Sequence, residues 1–178
     1  FTPQEFTTIS LNETRKGWLA PNQKHVYDFT MEKNGFVIID QMKDNSNLDT
    51  YLYLNNESGA QLQADDDGGG NLNSRIIREL QAGKYKIIAG TYPNSSGQYK
   101  LTVKRIEVQA LNFGKLLKDS VQAGDMKMYI IDMKSPGTVN ILAKREDSSN
   151  FAPYMDLKSE TGAFIEKDNN PGSNPSAT

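Results

Sequence analysis

Apolar residues recur at every second position along most of this chain, and that period constrains the fold more than any other feature. In the run 26–31, Tyr27, Phe29 and Met31 fall on one face. Tyr85, Ile87 and Ala89 alternate with Lys86, Ile88 and Gly90, and Tyr99, Leu101 and Val103 alternate with Lys100 and Thr102. Successive side chains of a strand point to opposite faces, so this pattern buries one face and leaves the other wetter. That is the requirement of an antiparallel sheet packed in a sandwich. Turn signals punctuate the runs at Pro21-Asn22, 55–59, 66–73, Ala82-Gly83 and 93–97. Asn34-Gly35 precedes Phe36-Val37-Ile38-Ile39 and reads as a two-residue hairpin turn. Ser74 to Gln81 could be a short helix, but Ile76-Ile77 makes a strand the better reading.

The period-two runs themselves repeat. Val26-Tyr27 and Met31 match Met128-Tyr129 and Met133 at an offset of 102, as do Gly35 with Gly137, Val37 with Val139 and Ile39 with Ile141. After one inserted residue the offset becomes 103: Leu54 meets Leu157, Gly59-Ala60 meets Gly162-Ala163, and Asp65 meets Asp168. Gly69 then meets Gly172, and Asn71 meets Asn174. Turn glycines, strand alternation and an acidic loop kept in step over this length point to two copies of one domain plan. Nothing after Thr178 corresponds to 75–103, so the second copy is expected to lack core strands. The expectation is met if the natural chain continues, if those strands are unseen, or if a neighbouring molecule supplies them by swapping.

Composition removes several classes. The 178 residues hold 20 Lys+Arg against 22 Asp+Glu, scattered along the chain, which is no basis for binding nucleic acid or an anionic membrane. There is no cysteine, hence no disulfide, thiolate metal site or cysteine nucleophile. A cysteine-free chain fits the cytosol or the exterior of a Gram-positive type of bacterium. No apolar run approaches the roughly eighteen residues of a membrane helix. The sequence begins at Phe1 without Met, so a removed leader or an excised fragment is expected.

Catalysis is hard to assemble from these residues. His25 is the one histidine; it opens a strand in phase with Tyr27 and Phe29, and Lys127 stands at its repeat position. Packing therefore explains it better than a Ser-His-Asp triad. Asp40 and Asp132 follow apolar runs but have no evident acidic partner for glycoside hydrolysis. Gly68-Gly69-Gly70 lacks the helix and Lys-Ser/Thr pair of a phosphate loop. The acidic loop Asp65, Asp66, Asp67 raises a calcium site, since hard calcium takes clustered carboxylate and carbonyl oxygens. An EF-hand is excluded because the twelfth position from Asp65 is Ile76. The competing reading is a solvated turn. Asp168-Asn169-Asn170 in the second copy is less charged, and Asp40, Asp44 and Asp49 form another candidate oxygen cluster. For ligand binding the aromatics matter more. With Leu52 and Leu54 inward, Tyr51 and Tyr53 share the outer face and Tyr92 approaches from a loop, a surface suited to sugars or a proline-rich fibre. The plainer alternative is that tyrosine suits strands. Asn12, Asn56 and Asn94 fit the glycosylation pattern at about the frequency expected by chance.

The ordered set from Asp49 to Val103 comprises Asp49-Thr50-Tyr51-Leu52-Tyr53-Leu54, Gly59, Asp65 through Ser74, Leu80, Ala82-Gly83-Lys84-Tyr85-Lys86-Ile87 and Gly97-Gln98-Tyr99-Lys100-Leu101. This set resembles the bacterial pre-peptidase C-terminal domain, to which the collagen-binding domains of clostridial collagenases are related. The resemblance implies a jelly-roll-like antiparallel β-sandwich of about a hundred residues, an ordinary domain size. It implies residues 1–8 as linker, 9–105 as a complete domain and 106–178 as a second copy without its last strands. It further implies a non-catalytic accessory or binding module of a secreted or cell-surface bacterial protein, with a parent catalytic domain in the same chain and an extracellular protein or polysaccharide as substrate. A structural spacer is the alternative, and a small extracellular hydrolase the rival from another class. In the second copy Ala152-Pro153-Tyr154-Met155-Asp156 replaces Asp49-Thr50-Tyr51-Leu52-Tyr53, so a shared ligand surface is not expected there.

Overall fold

Among the described residues nine strands build the stretch 6–106: β1 Phe6–Ile9, β2 Glu13–Leu19, β3 His25–Met31, β4 Gly35–Lys43, β5 Thr50–Asn56, β6 Gln61–Asp65, β7 Ser74–Leu80, β8 Gly83–Thr91 and β9 Gly97–Ile106. The computed structural model describes residues 6–44, 47–122, 125–144, 154–159, 164–168 and 176–177. The strands form two sheets, in the orders β1-β3-β8-β5-β6 and β2-β9-β4-β7. The alternating residues face inward as their period requires. Phe29, Met31, Leu52, Leu54, Ile87 and Ala89 from the five-stranded sheet meet Val37, Ile39, Ile76, Tyr99, Leu101 and Val103 from the four-stranded one. All are buried, so these strands form a β-sandwich with one hydrophobic core.

Three features depart from the expectations of sequence. Asn34-Gly35 is not a hairpin, because β3 and β4 belong to different sheets. The side chain of Asn34 instead accepts the Ala82 N–H at 2.8 Å, and its carbonyl accepts the Arg105 guanidinium at 3.0 Å. These bonds fasten a crossover at one end of the sandwich. Among the described residues of this domain, only β5 and β6 are consecutive strands paired as a hairpin. Second, the sheets are not wholly antiparallel: β1 pairs in parallel with β3, Phe6 opposite Val26. Third, residues 6–8, read as linker, belong to that edge strand, where fully buried Ile9 anchors them. Ser74–Leu80 is the strand favoured over a helix.

Polar groups join the sheets near one end. The Thr50 hydroxyl accepts the Ser74 N–H at 2.8 Å and is hydrogen-bonded to Ser74 Oγ at 2.7 Å. Gln41, fully buried, donates across to the Gly90 carbonyl at 2.8 Å. Elsewhere in the core Tyr99 Oη is hydrogen-bonded to Tyr27 Oη and to His25 Nδ1. Burial holds the Tyr99 and Tyr27 hydroxyls above the ordinary tyrosine range.

The chain divides into two compact units, Phe1–Asp132 and Met133–Thr178, later than the sequence-expected boundary between residues 105 and 106. Further strands are β10 Val108–Ala110, β11 Met128–Ile130, β12 Ala143–Lys144, β13 Met155–Lys158, β14 Phe164–Asp168 and β15 Ser176–Ala177. The β10–β11 pair is parallel, with Val108 opposite Met128, which is the β1–β3 register moved by 102 (6 to 108, 26 to 128). The β13–β14 pair sets Met155 opposite Asp168 and Lys158 opposite Phe164, with a register shift after Leu157. The β5–β6 pair sets Leu52 opposite Asp65 and Asn55 opposite Gln61, with its shift after Leu54. Each position differs by 103. The matches at Gly162-Ala163, Asn169-Asn170, Gly172 and Asn174 lie outside the described residues.

Candidate ligand-binding face

The strand β5 alternates strictly, burying Thr50, Leu52 and Leu54 and turning Tyr51, Tyr53 and Asn55 outward. Tyr51 and Tyr53 therefore share the outer face of the five-stranded sheet. Their ring centroids lie 4.7 Å apart at 32°. Rings side by side in one plane could not come so close, so the two are in contact with their planes tilted against each other. Tyr92, about half exposed, continues the row at 6.5 Å and 26° from Tyr51. The three tyrosines singled out in the sequence are thus brought together, but in contact with one another instead of spread as a flat platform. Their edges and hydroxyls, and the outward side of Tyr92, are what a ligand meets.

Sequence reasoning missed two members of this face. Lys24, just before β3, places its ammonium over the Tyr53 ring, 4.2 Å from the centroid, a cation–π contact. Gly90 in β8 borders the contact, and its tightest neighbour is the β5 backbone. A Cβ at that position would stand 3.2 Å from the Tyr51 carbonyl oxygen, 3.6 Å from Lys24 Cγ and 3.6 Å from Tyr53 Cε2. A glycine inside a central strand is the one signal that pointed to such a close approach.

Acidic groups lie at the other flank. Burial raises the Tyr51 hydroxyl above its ordinary value, helped by Tyr53 and by the Asp66 carboxylate. Asp49 is likewise raised, first by burial and then by the charges of Asp67 and Asp66. Asp65 instead holds the backbone, its Oδ2 accepting the Gly68 and Arg75 N–H groups, each at 2.8 Å. That bond pair closes the loop, and a Cβ on Gly68 would come within 2.6 Å of the same carboxylate. The loop continues through Gly70, Asn71 and Leu72, all with positive φ. Among the described residues no three His, Cys, Asp or Glu side chains form a group able to hold a metal ion. The second oxygen cluster dissolves into ion pairs, Asp40 with Arg75 at 2.6 Å and Asp44 with Lys100 at 2.8 Å.

His25 turns its ring nitrogens to Tyr99 Oη at 2.7 Å and to the Gln23 side chain at 3.2 Å. A shallow depression of about 460 Å³ opens at the far end of β5, lined by Asn56–Ser58 and Gly83–Tyr85. Among the described residues no helix is long and apolar enough to cross a membrane.

No family model matches the chain, and no curated protein does. Solved structures do. The pre-peptidase C-terminal domain of the Bacillus anthracis collagenase superposes with a TM-score of 0.51 at 23% identity, over 58% of this chain and 99% of that domain. The fold is that of a pre-peptidase C-terminal domain. Two periplasmic inhibitors of g-type lysozyme also align, from Aeromonas hydrophila (14% identity, TM-score 0.41, 57% of this chain and 97% of that one) and Salmonella Typhimurium (14%, 0.35, 56% and 97%).

Proposed function

We propose that this chain is a non-catalytic binding module of a secreted or cell-surface bacterial protein, carried beside a catalytic domain in the same polypeptide. It binds an extracellular substrate, matrix or glycan through the tyrosine row. The observation that carries the reading is the row of outward-facing Tyr51, Tyr53 and exposed Tyr92 on the outer face of a sandwich. Aromatic rings held rigidly at a surface present large contact area at low entropic cost. The fold shared with a collagenase accessory domain supports the same reading. His25 is engaged with Tyr99 and Gln23, which supports a packing role over that of the base in a Ser-His-Asp triad.

The two-copy plan belongs to this proposal as well. Its support is the recurrence of two strand pairings at the sequence offsets, one of them with its bulge at the matching residue. A string of such domains also serves as a spacer, the second reading that this recurrence favours.

Immobilised collagen, peptidoglycan and polysaccharides, probed with the protein, test the proposal. A ligand should be found whose affinity falls at least roughly thirty-fold on Tyr51→Ala or Tyr53→Ala, with the fold intact by circular dichroism. Unchanged affinity in both variants rejects the face.

A further inference from the structure

Strand β2 turns its side chains alternately in and out. Gly17 lies against the Tyr99 ring and Leu19 is fully buried. Trp18 between them therefore points away from the core, onto the outer face of the four-stranded sheet. It is 55% exposed, and among the described residues no other ring or cation contacts it. Lys16, exposed two residues earlier on the same face, stands directly opposite Lys100 of β9. Two cations facing each other across neighbouring strands destabilise the pair. One carboxylate answers them: Asp44 binds Lys100 at 2.8 Å, and among the described residues Lys16 has no ion-pair partner. The next pair along the same two strands shows how a matched row looks there, with the Thr14 and Thr102 hydroxyls hydrogen-bonded at 2.9 Å. Sheet pairing accounts for neither the bare indole nor the second lysine.

We propose that Trp18 and Lys16 form a second binding site, which takes a carboxylated pyranose, a uronic-acid unit of an extracellular glycan. The site lies on the other sheet from Tyr51 and does not rest on the tyrosine row. A pyranose stacks its positively polarised C–H groups on the negative face of the indole. Residues two apart in a strand are separated by about 7 Å. A carboxylate on the rim of a sugar over Trp18 thus falls within reach of the long Lys16 stem. A neutral sugar leaves that charge unanswered. A carboxylated pyranose meets ring and charge in one rigid unit, whereas an acidic peptide needs two side chains held in register. A second copy of this chain docked by two-fold symmetry would set the lysines of both molecules against each other.

Trp18 is the single tryptophan of the chain, so its fluorescence reports on this site directly. The full chain is titrated at low salt with oligogalacturonate, oligoglucuronate and hyaluronan oligosaccharides, each beside its neutral methyl ester. At least one acid should shift the Trp18 emission and bind roughly three-fold more tightly than its ester, the scale of an exposed charge pair. High salt should erase that preference. Lys16→Gln should erase it too while leaving the affinity for the ester unchanged. Trp18→Ala, followed by calorimetry, should weaken acid and ester alike by at least roughly ten-fold. Tyr51→Ala should change nothing, which separates this site from the tyrosine row. The inference is overturned if no glycan of the panel moves the emission, or if the preference for the acid survives Lys16→Gln. It is overturned equally if a Glu-rich peptide binds through Trp18 and no glycan does, or if sedimentation shows a dimer that Trp18→Ala dissolves.

Discussion

Gly17 in β2 lies directly opposite Tyr99 in β9, and replacing it with alanine tests the packing of the core at one point. A Cβ there would stand 2.7 Å from Cε1, Cζ and Oη of Tyr99, well inside van der Waals contact. The ring is fully buried and its hydroxyl is tied to His25 and Tyr27, so it cannot swing aside cheaply. Overpacking of this kind costs about 1–3 kcal/mol, and loosening the hydroxyl bonds adds about 0.5–1.5 kcal/mol. Against this, alanine gains about 0.5–1 kcal/mol over glycine in a strand. The clash wins, and Gly17→Ala is expected to destabilise by about 1–3 kcal/mol net, a drop in melting temperature of roughly 3–10 °C. Urea unfolding of the single variant and of Gly17→Ala in a Tyr99→Leu background gives the coupling. The three atoms that the new methyl meets are absent from leucine, so the penalty should vanish there. A stabilised Gly17→Ala, or a penalty that persists beside Leu, refutes the argument.

Asp49→Asn should raise stability at pH 7 and make no difference near pH 3. Its folded-state pKa is raised above the ordinary 3.8, so the native state holds that proton more tightly than the unfolded one, and stability from this group is lost as pH rises through the window between the two. A difference that instead grows on acidification contradicts that sign. Leu72→Asn should stabilise by roughly 0.5–1 kcal/mol, because Leu72 sits half-exposed at φ 64°, where asparagine is far less strained. A loss measured in urea would show that the leucine side chain outweighs the backbone. Asp65→Ala should cost roughly 1.5–3 kcal/mol by orphaning two backbone N–H groups. The same carboxylate predicts no rise of melting temperature with calcium over chelator, and a rise would reassign the loop to metal binding.

What the sequence made legible was local. Alternation in 27–31, 85–89 and 99–103 placed the strands and chose their buried face, because burial acts on each side chain separately. It could not tell which sheet a strand joins. Asn34-Gly35 carries hairpin chemistry, yet its strands part company because β4 finds β7 and β9, far away in sequence. The tyrosines were legible as outward-facing, since Leu52 and Leu54 face inward. Their mutual contact was not, nor was Lys24 on Tyr53, because β5 and the residue before β3 meet only once β8 has paired between them. The sequence did not choose between the turn and the metal reading of Asp65, because a carboxylate that closes a turn and one that holds an ion leave the same letters in the same loop.

Both sheets have their central strand near the end of the domain. The strand β8 joins β3 to β5, and β9 joins β2 to β4. During synthesis at roughly 5–20 residues per second, residues 1–82 emerge over roughly 4–16 s with only the β1–β3, β4–β7 and β5–β6 pairings open to them. The five-stranded sheet cannot close until Thr91 has left the ribosome, nor the four-stranded one until Ile106 has, so the face between the sheets stays open until the last strand of the domain arrives.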